Sequence, residues 1–557
     1  MQILNNKNKN TYNCNLIDVS DNNMVGILLN RSISLITTIY SCFKNRITYL
    51  PLDPDWPNQR INDIVSANNL NMIITTVENY NRVKCPNKII VDKKSNVNFF
   101  GEIRENEISY ILYTSGSTGQ PKGVEVKRES LYNFIDGVSE IIDFSPLKRI
   151  ACFTTVSFDI FFLESVMALE KGLTVVLANE DEQRNPKLMA NLIQNSHIDM
   201  IQMTPSMMQM LLLYDKELFC LKHVQEIMIG GEPFPLNLLQ ALQKKTSAKI
   251  YNMYGPTETT IWSTVSELTH KKRIDIGRPI KNTEIYIVDE KLSILPSGQV
   301  GEICVAGAGL AKGYLGRDEL TNESFLFLPQ KPEIRIYRTG DFGRYLPEGD
   351  LEYLGRKDNQ VKIRGHRIEL EEIESFINQY DHINQSIVIL LEVNRDDKIL
   401  QAFYTSDNYI DQKKISNYLR TKLPEYMIPT VYKRVEYFIQ TSNGKIDRKN
   451  VMECIEMEVD KPLPGDTNVD NLNDIQKKAF NTIISNLGLI VDGNISLETV
   501  FTDIGLDSIT FVKIIVDLEN EFKFEFDHEK LLLNEFTTVK SMIGYIESKI
   551  SDIHGTI

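Results

Sequence analysis

The chain has 557 residues, 42% of them hydrophobic, 24% charged and 9% aromatic, with 29 Gly and 20 Pro. These proportions exclude a collagen-like, coiled-coil or largely disordered chain and supply core for about three or four folding units at roughly 150 residues each. Its 61 Lys+Arg against 75 Asp+Glu leave a formal net charge of −14, so it lacks the basic footprint of a nucleic-acid binder. The seven cysteines (Cys14, Cys42, Cys85, Cys152, Cys220, Cys304, Cys454) are odd in number, scattered and without a Cys-x-x-Cys pair, the pattern of reduced thiols in a cytoplasmic protein. The first ten residues hold no apolar core of signal-peptide length, and no run of about 18 apolar residues occurs, so no membrane span is expected.

From about residue 20 to 460, short apolar runs such as Met24–Leu29 and Met72–Thr75 alternate with helical stretches such as Pro186–Gln194 and Pro235–Lys244, which predicts parallel α/β sheets. The apolar run Tyr110–Tyr113 leads directly into Thr114-Ser115-Gly116-Ser117-Thr118-Gly119-Gln120-Pro121-Lys122-Gly123. Hydroxyls, glycines and a lysine after a strand suit a polyphosphate, with backbone N–H groups and hydroxyls lining the anion and Lys122 adding positive charge. The order differs from a Walker A loop, because the lysine precedes its glycine and no Gly-Lys-Ser/Thr is present. Lys357–Ile373 is dense in charge and is followed by a smaller α/β unit ending near Arg448; from Met457 to about Asn473 the Pro, Gly, Asp and Asn content reads as a linker. Beyond it, Ile475–Leu487, Ser508–Phe522 and a segment after Thr537 carry apolar residues at helical spacing. Residues 470–557 hold 15 Asp+Glu and 7 Lys+Arg, a net of −8, so more than half of the chain's excess negative charge sits in its last sixth.

The phosphate loop resembles the signature of the adenylate-forming superfamily, which includes acyl-CoA synthetases, luciferases and the adenylation domains of nonribosomal peptide synthetases. Tyr254-Gly255-Pro256-Thr257-Glu258-Thr259-Thr260, Gly301-Glu302-Ile303, Tyr337-Arg338-Thr339-Gly340-Asp341, Gly355-Arg356-Lys357-Asp358, Lys362-Ile363-Arg364-Gly365 and Asn443-Gly444-Lys445-Ile446-Asp447-Arg448 follow in the family's order and point to its peptide synthetase branch. The resemblance implies an α/β protein with a large N-terminal lobe of mostly parallel sheets (residues 1–357), a small mobile α+β lobe (358–455), a linker (456–473) and an all-α four-helix carrier (474–553).

The implied reaction is attack of an amino-acid carboxylate on the α-phosphorus of ATP, giving an aminoacyl adenylate and pyrophosphate. By resemblance, Thr114, Ser115, Gly116, Ser117, Thr118, Gly119 and Lys122 would hold the phosphates, and Glu258 would bind Mg²⁺, a sensible task for a hard carboxylate. Tyr254 would stack on adenine and Asn252 contact its edge, with Gly231, Gly255, Thr257 and Tyr353 completing the nucleotide site. Asp341 would take the ribose hydroxyls, Arg356 would lie near the phosphates, and Lys445 would bridge the substrate carboxylate and the nucleotide oxygens. Asp358 matches the hinge about which the family's small lobe turns for the second step, and Gly365 belongs to the loop that then makes the thiol tunnel.

Asp503-Ile504-Gly505-Leu506-Asp507-Ser508-Ile509 resembles the attachment signature of peptidyl carrier proteins, so Ser508 would carry phosphopantetheine, added by a phosphopantetheinyl transferase, and its thiol would retain the acyl group. Asp159 matches the position where the amino-acid branch holds the substrate ammonium. The other pocket positions become Ile160, Leu163, Gln202, Met228, Gly230, Met253, Ile261 and Trp262, a bulky set without charge that leaves room for a very small side chain. The combination resembles glycine-activating members, with alanine next. A coenzyme A ligase and a silent carrier scaffold are the competing readings; Asp159 and Ser508 speak against the first and the intact Gly-Lys turn at Lys445 against the second. The segment before Val25–Pro57 is shorter than in the family, which leaves two alternatives, an incomplete N-terminal subdomain or one supported by a small MbtH-like activating protein. With no further module after Ile557, the thioester would pass to a separate downstream enzyme.

Overall fold

A computed structural model describes residues 2–4, 14–18, 24–92, 96–100, 107–116, 120–392, 398–407, 410–435, 438, 448, 451, 472–487, 495–501, 506, 508–527, 530 and 535–554. The chain divides into two compact units, one formed by residues 1–116 and 120–367, the other by residues 368–557.

The first unit holds three large sheets. One has the strand order Gly313–Tyr314, Lys122–Lys127, Ile108–Thr114, Thr48–Pro51, Met24–Leu28, Met72–Thr75, Asn87–Ile90, parallel from Ile108–Thr114 onward. The second runs Gln2–Leu4, Thr174–Leu177, Arg149–Cys152, Met200–Met203, Glu226–Gly230, Lys249–Tyr254, Thr264–Glu267, Arg278–Pro279, with its five central strands parallel from Thr174–Leu177 to Lys249–Tyr254. The parallel order expected from the alternation of strands and helices is found in both. The third sheet, Thr283–Val288, Gly301–Gly307, Lys331–Tyr345 and Phe325–Leu328 with Leu351–Arg356 beside Lys331–Tyr345, is antiparallel. Its connections at 289–300 and 346–350 contain no helix, and antiparallel neighbours alone can be joined by short turns, whereas a parallel pair needs a crossover of a dozen or more residues.

The crossover helices begin where side chains cap them. Ser32 accepts from the Leu35 N–H at 3.2 Å ahead of Ile33–Lys44, Asn185 accepts from Lys187 N at 2.9 Å ahead of Pro186–Asn195, and Thr204 accepts from Met207 N at 3.2 Å ahead of Pro205–Tyr214; each satisfies a backbone donor that the first turn leaves orphaned. The second sheet separates two cores. Ile201, Met203, Ile227, Ile229 and Ile250 face the helices Pro186–Asn195, Pro205–Tyr214 and Leu236–Lys245, whereas Met200, Met228, Tyr251 and Met253 point the other way, toward the core shared with the first sheet. The side chains alternate with the two-residue period of a strand.

In the second unit, the helices Leu370–Ile377 and Gln412–Arg420 accompany the sheet Gln385–Glu392, Lys398–Thr405, Val431–Arg434, which is mixed. Further along come Asp474–Leu487, Ser508–Phe522 and Val539–His554, within a residue or two of the helices expected from periodicity. They bury Phe480, Ile483, Phe511, Ile514, Met542 and Ile546 in a core of their own. Among the described residues five cysteines are free and buried, and no helix is long and apolar enough to cross a membrane.

Candidate active site and carrier serine

The candidate amino-acid pocket lies on one face of three parallel strands. Gln202 pairs with Met228, Met228 with Tyr251 and Gly230 with Met253, so Gln202, Met228, Gly230 and Met253 share a face. Trp262, 2% exposed, lies against Gly230: a Cβ there would stand 2.6 Å from Trp262 Cη2 and 2.7 Å from Met253 O. The turn that delivers Trp262 is strained, since Thr260 and Ile261, both β-branched, adopt φ of +65° and +66°, a region such residues rarely enter. It is pinned by Thr260 Oγ1 donating to Gly309 O at 2.7 Å and Ser263 N to Tyr254 O at 2.7 Å. Gly255 of the Tyr-Gly-Pro-Thr-Glu motif is glycine for this reason, because a Cβ there would meet Ile261 O at 2.6 Å and Trp262 Cα at 2.7 Å. The Gln202 Oε1 acceptor and the Trp262 Nε1 donor are both buried without a partner, an expensive condition unless a ligand or water answers them.

Asp159 precedes the short helix Ile160–Phe162 and is 8% exposed. Burial pushes its carboxyl up to about 6, although the Thr257 hydroxyl, the Ile160 N–H and the charge of Lys362 pull the other way. Ile160 and Leu163 follow it in the same helical segment and are 4% and 0% exposed.

Glu258 is completely buried. Burial alone would raise its pKa, but Arg367, Lys122 and Tyr314 hold it down to about 2. Arg367 Nη1 donates to both carboxylate oxygens at 3.0 Å, Tyr314 Oη donates to Oε1 at 2.8 Å, and Lys122 Nζ stands 3.5 Å from Oε1 and 3.3 Å from Tyr314 Oη. At the end of the strand Ile108–Thr114, Ser115 Oγ donates to Arg367 O at 2.8 Å, while Thr114 Oγ1 is buried with no partner. Gly116 closes the start of the loop so tightly that a Cβ would lie 2.1 Å from Gln120 O.

Beside this cluster is a cavity of about 230 Å³ lined in part by Gly231, Asn252, Tyr254, Gly255, Tyr353 and Lys362. Tyr254 Oη donates to Asp341 Oδ2 at 2.6 Å, Arg356 Nη1 donates to Asp341 Oδ1 at 2.9 Å, and the Tyr254 and Tyr353 rings lie 6.2 Å apart. Asn252 Nδ2 donates to Asp275 O at 2.8 Å, which fixes the amide at the cavity wall. Arg356 also grips Asp358, Nε to Oδ1 at 2.7 Å and Nη2 to Oδ2 at 2.5 Å. Gly365 adopts φ +80°, and its N–H donates to Glu232 Oε1 at 2.6 Å; a Cβ would stand 2.7 Å from Thr204 Cγ2. Both conditions select glycine.

The fold thus brings Lys122, Glu258, Asp341, Arg356 and the pocket residues into one unit. Ser117, Thr118, Gly119 and Lys445 lie outside the described residues. Ser508 is the first residue of the helix Ser508–Phe522. Sequence reasoning assigned no task to Tyr314, Arg367 or Glu232, which meet Glu258 and Gly365 only through the fold; Arg367, two residues beyond the Lys-Ile-Arg-Gly motif, was the one within reach of a signal.

An α/β unit of three sheets carrying these motifs, followed by a further sheet with its helices and by a helical carrier region, defines an adenylate-forming ligase joined to a phosphopantetheine carrier. The chain belongs to the family of AMP-binding enzymes, which it matches over residues 16–315, and residues 481–546 match the phosphopantetheine attachment site. It is 38% identical over 440 residues to a dimodular nonribosomal peptide synthase of Bacillus subtilis (strain 168), covering 76% of this chain and 18% of that protein. Among solved structures it resembles a holo four-domain nonribosomal peptide synthetase bound to AMP and glycine, at 30% identity and a TM-score of 0.54, covering 95% of this chain and 39% of that one. It also shares the fold of a holo protein with adenylation and carrier domains bound to a vinylsulfonamide inhibitor, with a TM-score of 0.76 at 23% identity over 94% and 88% of the two chains. The chain spans between 14% and 48% of the length of the curated relatives that it matches first.

An AMP-binding enzyme with a phosphopantetheine attachment site works with ATP, Mg²⁺ and the covalent phosphopantetheine arm, and the residues present fit them. The buried Glu258 carboxylate offers the hard oxygen donor that Mg²⁺ takes. The orphaned Thr114 hydroxyl, with Lys122 nearby in the sequence, suits a polyphosphate.

Proposed function

We propose that this chain activates glycine as glycyl-AMP and loads it onto its own carrier at Ser508. The observation that carries the choice of amino acid is the contact of Trp262 with Gly230, which fills the space a substrate side chain would need; the buried carboxylate Asp159 requires a cationic partner, which an amino group supplies. The orphaned Gln202 Oε1 offers a second acceptor for the substrate ammonium. The similarity to a synthetase whose structure holds AMP and glycine supports the same reading.

In this reaction a glycine carboxylate oxygen attacks the α-phosphorus of ATP, the bond to the bridging oxygen breaks, and pyrophosphate leaves with the electron pair. Asp159 and Gln202 hold the ammonium; Ile160, Leu163, Met228, Met253, Ile261 and Trp262 enclose the α-carbon and exclude water. Asn252, Tyr254, Gly231, Gly255, Thr257 and Tyr353 receive the adenosine, and Asp341, oriented by Tyr254 and Arg356, accepts the ribose hydroxyls. Lys122, the hydroxyls of Thr114, Ser115, Ser117 and Thr118, and the loop N–H groups bind the phosphates, with Glu258 as the protein ligand of Mg²⁺. Lys445 neutralises the two approaching anions, and positioning and charge do most of the work. A phosphopantetheine arm on Ser508 supplies the thiol that takes the acyl group. Asp358, with residues 358–455 as the small lobe, serves as hinge between the steps, and Gly365 belongs to the second. A phosphopantetheinyl transferase, a downstream acceptor and an MbtH-like activator are the proposed partners, in the cytoplasm.

ATP–pyrophosphate exchange across the twenty amino acids tests the reading. Glycine is expected to support the fastest exchange and alanine the next. Exchange with a large side chain and none with glycine overturns it.

A further inference from the structure

Glu164 is completely buried, is absent from the reaction as derived above, and sits in a π-helical turn, Leu163–Met167, between the α-helical residues Ile160–Phe162 and Ala168–Glu170. Such turns are rare and concentrate at functional sites. Each of its oxygens accepts from the same residue: Thr154 N donates to Oε2 at 2.9 Å and Thr154 Oγ1 to Oε1 at 2.7 Å. Thr154 follows the strand Arg149–Cys152, and Asp159 lies midway in sequence between Thr154 and Glu164. The intervening segment is tied by Phe158 N to Thr155 O at 3.2 Å, by Thr155 Oγ1 to Ser157 Oγ at 3.0 Å, and by Ser157 Oγ to Asp53 Oδ2 at 2.7 Å. Arg31 secures the far side, with Nη1 donating to Thr154 O at 2.5 Å, Nε to Ala178 O at 2.6 Å and Nη2 to Cys152 O.

We infer that Glu164 is a positioning residue for amino-acid activation: by gripping both donors of Thr154 it closes the loop that presents Asp159, Ile160 and Leu163 to the substrate. The inference rests on the proposed amino-acid site at Asp159. A buried carboxylate is costly, and the two Thr154 bonds offset that cost while fixing the loop. The groups facing it are Thr154, the Arg31 guanidinium and the Cys152 thiol, which burial holds in its neutral form. Burial pushes the Glu164 carboxyl up to about 7, with the two Thr154 bonds and Arg31 opposing. Below about pH 7 it takes up a proton, one oxygen becomes a donor, and the grip on two donors is lost. The amino-acid KM then rises as pH falls through about 7.

The test is ATP–pyrophosphate exchange on the full chain, with KM for amino acid and for ATP measured from pH 6 to 8.5. Glu164→Gln, which places a donor where Thr154 needs an acceptor, should raise the amino-acid KM at pH 8 about tenfold, leave the ATP KM within about twofold, and abolish the change near pH 7. Thr154→Val should reproduce that split and Thr154→Ser should restore wild-type values, a comparison that stands even if Glu164→Gln does not fold. An unchanged amino-acid KM at pH 8, a parallel rise in both KM values, or an unaltered profile overturns the inference. The measurement uses whichever amino acid the wild type exchanges, so preference for one other than glycine refutes the proposed substrate alone, and exchange with none of the twenty overturns both.

Discussion

Glu258 gathers three donors around one buried carboxylate, and its charge decides what they do. Its folded pKa is depressed to about 2, so the stabilisation it gains from Arg367, Lys122 and Tyr314 is fully present above the ordinary glutamate value near 4.3 and is lost as pH falls through about 2. Glu258→Gln removes the buried carboxylate that Lys122, Arg367 and Tyr314 share, and should cost about 3–5 kcal/mol of stability, read as a fall in the thermal midpoint together with loss of Mg²⁺-dependent exchange. Arg367 donates to both oxygens of the carboxylate that would hold Mg²⁺ in the proposed reaction. Arg367→Gln should therefore lower the Mg²⁺ concentration giving half-maximal exchange severalfold, and an unchanged Mg²⁺ titration would contradict this competition. Lys122 and Glu258 were legible because each lies in a short motif with its own chemistry. Their partners were not: Tyr314 is 56 residues from Glu258 and Arg367 is 109, and no local pattern announces a contact at that distance.

At the scale of elements, the candidate pocket positions came from family resemblance, while strand register and backbone strain account for how the fold arranges them. Gln202, Met228, Gly230 and Met253 share a face because three parallel strands are in register, and the helix capped by Asn185 begins at Pro186, where the sequence pattern places it. The consecutive left-handed Thr260 and Ile261 have no such signal, since β-branched residues disfavour that backbone, and the π turn at Leu163–Met167 likewise lacks one. The antiparallel third sheet was concealed for another reason: its strands resemble the others, and only the shortness of its connections sets it apart. Trp262→Ala tests the pocket at this scale. Emptying a fully buried indole site should cost about 3–5 kcal/mol, lowering the thermal midpoint, and should shift exchange from glycine toward alanine and larger amino acids. A variant that folds and still excludes alanine as strictly as the wild type would show that Trp262 does not limit the pocket.

At the scale of the whole molecule, the chain joins a unit that holds Lys122, Glu258, Asp341 and Arg356, residues 1–116 and 120–367, to a carrier whose helices enclose a core of their own. Two substitutions separate the steps this division implies. Lys445→Ala should suppress adenylate formation while leaving transfer of glycine from supplied glycyl-AMP to the carrier largely intact, and equal loss of both would contradict the assignment of Lys445 to the first step. Ser508→Ala should do the reverse. Its hydroxyl is the only group of the Asp-Ser signature that could accept the arm, and it stands at the head of a 15-residue helix whose core residues Phe511, Ile514 and Leu518 are untouched by the change. The variant should fold as the wild type does, exchange pyrophosphate with glycine within about twofold of it, and gain no mass on incubation with coenzyme A and a phosphopantetheinyl transferase. The wild type should gain first the arm and then, with ATP and glycine, one glycyl group. Loading of the Ser508→Ala carrier, or loss of exchange along with loading, would mean that attachment and activation are not divided between the carrier and the adenylating unit as the fold implies.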